Sequence, residues 1–452
     1  MAKNSIGILF FLFSILMVLS ILAYIEENIA ILVVSMLYLV LGMLLSFISE
    51  KFEHIKNFIY IFLLFFLVYL LHSSIIHYGI IEVYGSPFIK SDELFFREVS
   101  DTISLKFKMG YTFFELDKIY LEGTAGIYLY GLVATLANFF GENSILVLKI
   151  SVVLVSALIP MYLYGISRLY FSENISLSVA TIYGFFSFVP YLSSTLLRDI
   201  HIALMFIITM YIILQRLSIV NLIVLFFVSF VSYYLRPQTG LFMMGFSVIY
   251  FFVLVRSMVE NRYIELSIYS VLIGVMVIVV LNSNLMEVYN MTANSTGNKP
   301  SATQASGMGA KIAKLPIPLN IIAQLSYGQM QPFPPSWIFS GNNKGFFQIS
   351  YLISGIAWFL GWGFLLYGLF KKKILSKVDL KLKLMFLISM AYLILIATII
   401  TGMRRQMPVY PILYIFMVFS YLEMSVTERT KIWVGMSLFY ITLVLVINFL
   451  KI

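Results

Sequence analysis

Residues 5–24 read SIGILFFLFSILMVLSILAY, twenty positions without a charge. As a helix this length covers about 30 Å, the thickness of the hydrocarbon core of a bilayer. Apolar runs of the same kind, roughly 17 to 24 residues each, recur along almost the whole chain. Of the 452 residues, 61% are hydrophobic and 11% charged, whereas a soluble domain carries about 25% charged residues. These features predict an all-α fold: a polytopic membrane helix bundle of about 13 transmembrane helices, forming one membrane domain over 1–452. Glu26-Glu27 follows the first run, no small-residue cleavage site intervenes, and a second run begins at once. The first run is therefore expected to be a retained helix, not a signal peptide.

The expected spans are 6–24, 29–48, 58–77, 144–165, 174–192, 200–215, 217–235, 238–256, 264–282, 347–370, 382–401, 406–424 and 431–450. Their orientation follows from lysine and arginine in the short loops, which favour the cytoplasmic side. The most basic loop, Lys371-Lys372-Lys373 with Lys377, Lys381 and Lys383, is placed inside. Counting back puts Arg256, Arg262, Arg216 and Arg168 on that side. Counting forward from Lys3 also puts Lys51 and Lys56 there. The two counts agree only if 124–140, apolar but short and interrupted by Gly131, does not cross. It is expected to be an interfacial or re-entrant helix, with the N-terminus cytoplasmic and the C-terminus outside.

Composition removes several chemistries. There is no cysteine, hence no disulfide, thiolate metal site or cysteine nucleophile. The net charge of +9 lies mostly in short loops between spans, so it reports orientation and not nucleic acid. No phosphate-binding glycine loop or dinucleotide fingerprint is present. His72, His77 and His201 lack metal-ligand spacing.

Two long loops then face outward, 78–123 and 283–345, and loops of this length in a compact protein are usually functional or disordered. The second is rich in Asn, Ser, Gly and Pro, with an amphipathic stretch near Ile312–Leu325 and the run Gln331-Pro332-Phe333-Pro334-Pro335-Ser336-Trp337. The first opens with Ser91-Asp92-Glu93. Adjacent carboxylates suit a general base that deprotonates an attacking hydroxyl, or the ligation of a divalent cation. The same residues also suit a helix start, with Ser91 as cap and two acids at the positive end of the helix dipole.

Arg198, Arg236, Arg404 and Arg405 all fall at helix ends on the outer side. Each alone reads as an anchor at the membrane surface. Together they run against the inside preference of basic residues, and binding of an anion accounts for that. Guanidinium groups grip phosphate oxygens with paired hydrogen bonds.

With these residues in place, the layout resembles the GT-C superfamily of membrane glycosyltransferases. The resemblance covers roughly residues 60–425. It is carried by Ser91-Asp92-Glu93, by Gly126-Ile127-Tyr128-Leu129-Tyr130-Gly131 and by Gly141-Glu142-Asn143-Ser144 leading into a span. The basic turn Ser167-Arg168-Leu169-Tyr170-Phe171 and the late Arg404-Arg405-Gln406-Met407-Pro408-Val409-Tyr410-Pro411 complete it. Two spans precede the one leading into the acidic loop, and no soluble domain follows the bundle. In both respects the chain is similar to polymerases of O-antigen or capsule repeat units. The resemblance implies a glycosyltransferase or polymerase in the cell membrane, with its active face extracytoplasmic. It implies Asp92, with Glu93 beside it, as the catalytic acid group, and the arginines as holders of the lipid phosphate. The implied partners are a polyprenyl-(pyro)phosphate-linked sugar donor, a glycan or lipid-linked acceptor, and membrane lipid. The resemblance fixes no cofactor; a divalent cation is one that the acid pair suits. The rival class is a flippase or exporter of lipid-linked oligosaccharide, whose polar residues would line a cavity within the bilayer.

Overall fold

The computed structural model describes residues 2–49, 55–88, 91–112, 115, 124–259, 349–399 and 403–449, with isolated positions between 316 and 329. Among the described residues every regular element is helical. In chain order they are α1 (Ala2–Ile25), α2 (Ile29–Ser49), α3 (Ile55–Tyr84), α4 (Ser91–Lys108), α5 (Thr124–Phe140), α6 (Ile145–Arg168), α7 (Glu173–Phe186), α8 (Val189–Ser193) and α9 (Asp199–Leu214). There follow α10 (Ile219–Leu235), α11 (Pro237–Met258), α12 (Ile349–Phe370), α13 (Ile374–Lys377), α14 (Leu380–Ile399), α15 (Met403–Gln406), α16 (Tyr410–Leu422) and α17 (Val426–Phe449).

Seven of the described helices are long and apolar enough to cross a membrane: α1, α2, α3, α6, α11, α12 and α17. The chain is thus a multi-pass membrane protein, helical throughout its described regular elements. Helices α5, α9 and α10 and the stretch Met407–Leu422 are apolar but shorter. Two expected spans are divided. The run 174–192 becomes α7 and α8, parted at Ser187-Phe188 ahead of Pro190. The run 406–424 starts as a 3-10 turn, Met407–Val409, and only then becomes α16, which has 13 residues. Proline lacks the amide hydrogen that a helix interior needs, so Pro190 and Pro408 each stand at a helix start. In the other direction, α3 runs on to Tyr84, beyond its expected end at 77. The expected span 264–282 and most of 283–345 lie outside the described residues, as does most of the amphipathic stretch near Ile312–Leu325.

Helix α6 is the centre. From Leu146 to Ser167 nearly every side chain is buried, as befits a helix that is apolar all round. Helices α2, α3, α7 and α9 pack around it.

The turns gather into two sets. In one, the Tyr211 hydroxyl donates to the Ser49 carbonyl at 2.7 Å. Asn57 Nδ2 there donates to Tyr164 and Glu173 at 3.0 and 2.8 Å. Phe171 packs on Phe419, carrying this end across to the turns where Lys372 pairs with Glu428 and Lys377 with Glu423. At the opposite end, Asn28 Nδ2 donates to the Glu142 carbonyl at 2.7 Å and His77 Nε2 lies 3.9 Å from Glu26.

Helices α4 and α5 lie side by side against this second end. Asn138 Nδ2 donates to Ser104 Oγ at 2.9 Å, Asn143 Nδ2 to Asp101 Oδ1 at 2.6 Å, and Arg97 Nη2 to the Asn143 carbonyl at 2.6 Å. Gly131 permits the close approach: a Cβ there would stand 2.4 Å from Ile103 Cγ2. Both ends of α5 meet this one set of turns, Gly126 near Arg198 and the residues after Phe140 against Asn28.

Candidate functional site

Between α8 and α9 the chain is enclosed without regular helix, and Ser193 to Leu197 are buried. Peptide groups held there need partners. Local hydroxyls take part of the load. Ser193, Ser194 and Thr195 donate to the carbonyls of Pro190, Tyr191 and Leu192 at 2.7, 2.8 and 3.0 Å. The rest comes from α4 and α5. The Leu196 amide donates to Glu93 Oε2 at 3.3 Å, and the Tyr130 hydroxyl donates to the Leu197 carbonyl at 3.3 Å. Glu93 and Tyr130 therefore fix the segment that carries Arg198 and Asp199.

Asp92 and Glu93 are neighbours on α4, so their side chains leave the helix about 100° apart. Glu93 is fully buried and Asp92 is exposed. The two carboxylates face different surroundings and do not form a pair around one point. Among the described residues no three His, Asp or Glu side chains converge to hold a metal. The Ser91 side chain lies outside the described residues.

Behind Glu93 is Lys149, five residues into α6 and fully buried. Its Nζ donates to the Pro87 carbonyl at 3.0 Å, and the charges of Glu93 and Lys149 act on each other. A cation enclosed in a membrane helix is costly without a counter-charge. Glu93 supplies it. The charge of Lys149 also reaches His77.

On the other side of Glu93 stands the arginine group. Asp199 occupies the first turn of α9, where the helix dipole favours an anion. Arg236 sits between α10 and α11 with φ −156° and ψ 107°. Pro237 imposes that extended backbone by excluding the helical region from the residue before it. The kink turns Arg236 inward, and its Nη2 donates to Asp199 Oδ1 at 2.5 Å, both side chains being buried. Tyr392 of α14 joins them. Its hydroxyl donates to the Arg405 carbonyl at 3.4 Å and lies 3.2 Å from Thr239 Oγ1. The charges of Arg236, Asp199 and Arg405 all act on it.

Arg198, half-buried, borders the same group, and a Cβ on Gly126 would lie 3.5 Å from its Cβ. Arg198 thus adjoins Asp199, which Arg236 holds, and Arg405 shares Tyr392 with that pair, so arginines from distant parts of the sequence border one group. Arg404 is on α15 with its side chain outside the described residues. The sequence alone assigns no site role to Lys149, Asp199 or Tyr392, and names Tyr130 only as part of the stretch Gly126–Gly131. The signal for Lys149 was present: a single lysine in the apolar run Ile145–Ser156, where an ionisable group is a candidate site by default.

Compared with known protein families, curated proteins and solved structures, the chain matches none.

Proposed function

We propose that this chain is an inverting membrane glycosyltransferase, or a polymerase of polysaccharide repeat units. It would use a polyprenyl-phosphate or polyprenyl-pyrophosphate-linked sugar at the outer face of the cytoplasmic membrane. The observation that carries the proposal is the grouping of Arg198, Arg236 and Arg405 around Asp199 and Tyr392, at the end opposite the lysine-rich turns. In this reading the lysine-rich end is cytoplasmic. Together with the seven longer helices, α7, α9, α10, α14, α16 and the expected span 264–282 would give about 13 crossings, while α4 and α5 lie in the interface.

In the proposed reaction a hydroxyl of the acceptor attacks C1 of the donor sugar from the face opposite the lipid phosphate. Asp92, exposed at the start of α4, takes the hydroxyl proton. The C1–oxygen bond to phosphate breaks, and the phosphate leaves with the electron pair. The arginines neutralise the charge that develops there. Glu93 acts as a positioning residue through the Leu196 amide and Lys149.

A second reading has a specific observation in its favour. Lys149 and the Asp199–Arg236 pair are enclosed among the helices, as expected of a flippase for lipid-linked oligosaccharide. Purified protein in lipid vesicles, given a polyprenyl-linked sugar donor, separates the two. A transferase changes the covalent structure of the glycan without any gradient; a flippase only moves it.

A further inference from the structure

The turns at the lysine-rich end, 371–383 and 423–431, carry eight basic residues against three acidic ones. Several are already engaged. Lys372 Nζ lies 2.9 Å from Glu428 Oε2, and Lys377 pairs with Glu423. Glu428 also accepts from the Tyr367 hydroxyl at 2.8 Å and from the Ser425 amide and hydroxyl at 2.8 and 3.0 Å. Arg429 is turned back on its own chain, donating to the carbonyls of Tyr421 and Leu422 at 2.8 and 3.1 Å. On the 371–383 turn this leaves four lysines. Lys371, Lys373 and Lys381 are exposed and Lys383 is half-buried, and among the described residues none of them pairs with a carboxylate.

Two of the four stand where the backbone disfavours them. Lys373 has φ 50° and ψ 43°, the left-handed region that glycine enters freely and other residues do not. It is held there because Ile374, the next residue, is buried, and a Cβ on Gly368 of α12 would lie 3.3 Å from the Ile374 Cδ1. Lys381 lies in the first turn of α14, which contains no acidic residue. That is the positive end of the helix dipole, where a cation is repelled and an anion is drawn. A lysine at either position is unfavourable in the bare protein and favourable once an anion sits against it.

The surrounding side chains indicate what carries that anion. Phe370 and Leu380, which bracket the turn, are 76% and 65% exposed, and Leu384 and Leu387 continue the exposed apolar surface along α14. Lysines set among exposed apolar side chains at the ends of membrane helices lie where acyl chains give way to headgroups. A soluble polyanion would leave the apolar rim in water, whereas a phospholipid covers it with its chains and brings a phosphate to the lysines. We propose that Lys371, Lys373, Lys381 and Lys383 form a docking surface for anionic phospholipid headgroups. The proposal is independent of the reading of the arginine group.

The test follows thermal unfolding of the full chain in a neutral detergent, titrated with phosphatidylglycerol or with phosphatidylcholine. Phosphatidylglycerol should stabilise the wild-type chain more, and added salt should weaken the difference. Changing lysines of the set to Gln should lower the apparent affinity for phosphatidylglycerol roughly fivefold per lysine. Lys106→Gln with Lys108→Gln, on α4 at the opposite end, should leave it unchanged. Lys373→Gly covers the case in which the fourfold variant fails to fold. It relieves the left-handed backbone, so stability without anionic lipid should rise while affinity for phosphatidylglycerol falls.

A wild-type chain stabilised equally by both lipids overturns the proposal. So does a phosphatidylglycerol affinity that survives the loss of all four lysines, or that survives in a stabilised Lys373→Gly chain. Glycerol 3-phosphate, which has the phosphate without the chains, should not compete at the concentrations where the lipid binds. Competition there would show a site for free phosphate and overturn docking of a lipid.

Discussion

Arg236 Nη2 donates to Asp199 Oδ1 at 2.5 Å, joining the turn between α10 and α11 to the first turn of α9, 37 residues away in sequence. Both side chains are less than a tenth exposed. The pair decides how much of Arg236 is left for a ligand: one terminal nitrogen is committed, and the other is aimed elsewhere. It also ties two apolar helices together at the end where the remaining arginines collect.

Removing one partner should therefore cost more than removing both. Asp199→Ala leaves a buried guanidinium uncompensated and is expected to lower stability by about 3–5 kcal/mol. The double variant Asp199→Leu, Arg236→Met should recover much of that loss. Neither should transfer sugar. Unfolding curves of the purified protein in detergent check the first expectation, and a product assay the second. Equal stability of the single and double variants would show that the pair is not isolated from water.

Lys149 gives a parallel case. Lys149→Met should leave the Glu93 carboxylate buried without its counter-charge and loosen α4 from the 193–199 segment, at a cost of about 3–5 kcal/mol. Glu93→Gln in the same chain should restore stability, since the neutral amide still offers an oxygen to the Leu196 amide. A double-mutant cycle reads the coupling directly. Additive effects would mean that the two groups do not sense each other.

The helical fold was legible because uncharged runs near bilayer length have no other folded solution. The boundaries were less so. Pro190 and Pro408 sit inside runs that hydropathy alone joins, and their effect on the backbone outweighed the apolar pattern. Asp92 and Glu93 could not be told apart in sequence, since which of two neighbours faces inward depends on what α4 lies against. The arginines were found by their position at helix ends. Their convergence depends on the turn at Pro237 and on Tyr392, which no spacing reveals. Lys149 was readable as a lone charge in an apolar run.

The closeness of α4 and α5 rests on Gly131. Gly131→Leu should force Ile103 aside and part the two helices, lowering stability by about 1–3 kcal/mol. Adding Ile103→Ala should return part of it by vacating the space. Protease cleavage between α4 and α5 should rise in the single variant and fall again in the double. Unchanged cleavage in Gly131→Leu would argue against this contact.

Sidedness has its own test in a chain without cysteine. Cysteines replacing Met109, exposed after α4, and Ser376, exposed in the lysine-rich turn, should label from opposite sides of the membrane. Position 109 should react with an impermeant thiol reagent in intact cells, and position 376 only after lysis. The reverse pattern would place the arginine group in the cytoplasm.

Covalent glycan transfer at this end of the bundle is the activity proposed for the chain. The most direct measurement uses purified protein in vesicles with a polyprenyl-linked sugar donor and an acceptor, and follows product by mass. The wild-type chain should yield a transferred or lengthened glycan without a gradient. Asp92→Asn, normally inserted, should lose about 10²-fold or more in turnover. Donor that crosses the vesicle bilayer with its covalent structure intact, or an Asp92→Asn protein as active as wild type, would contradict the account.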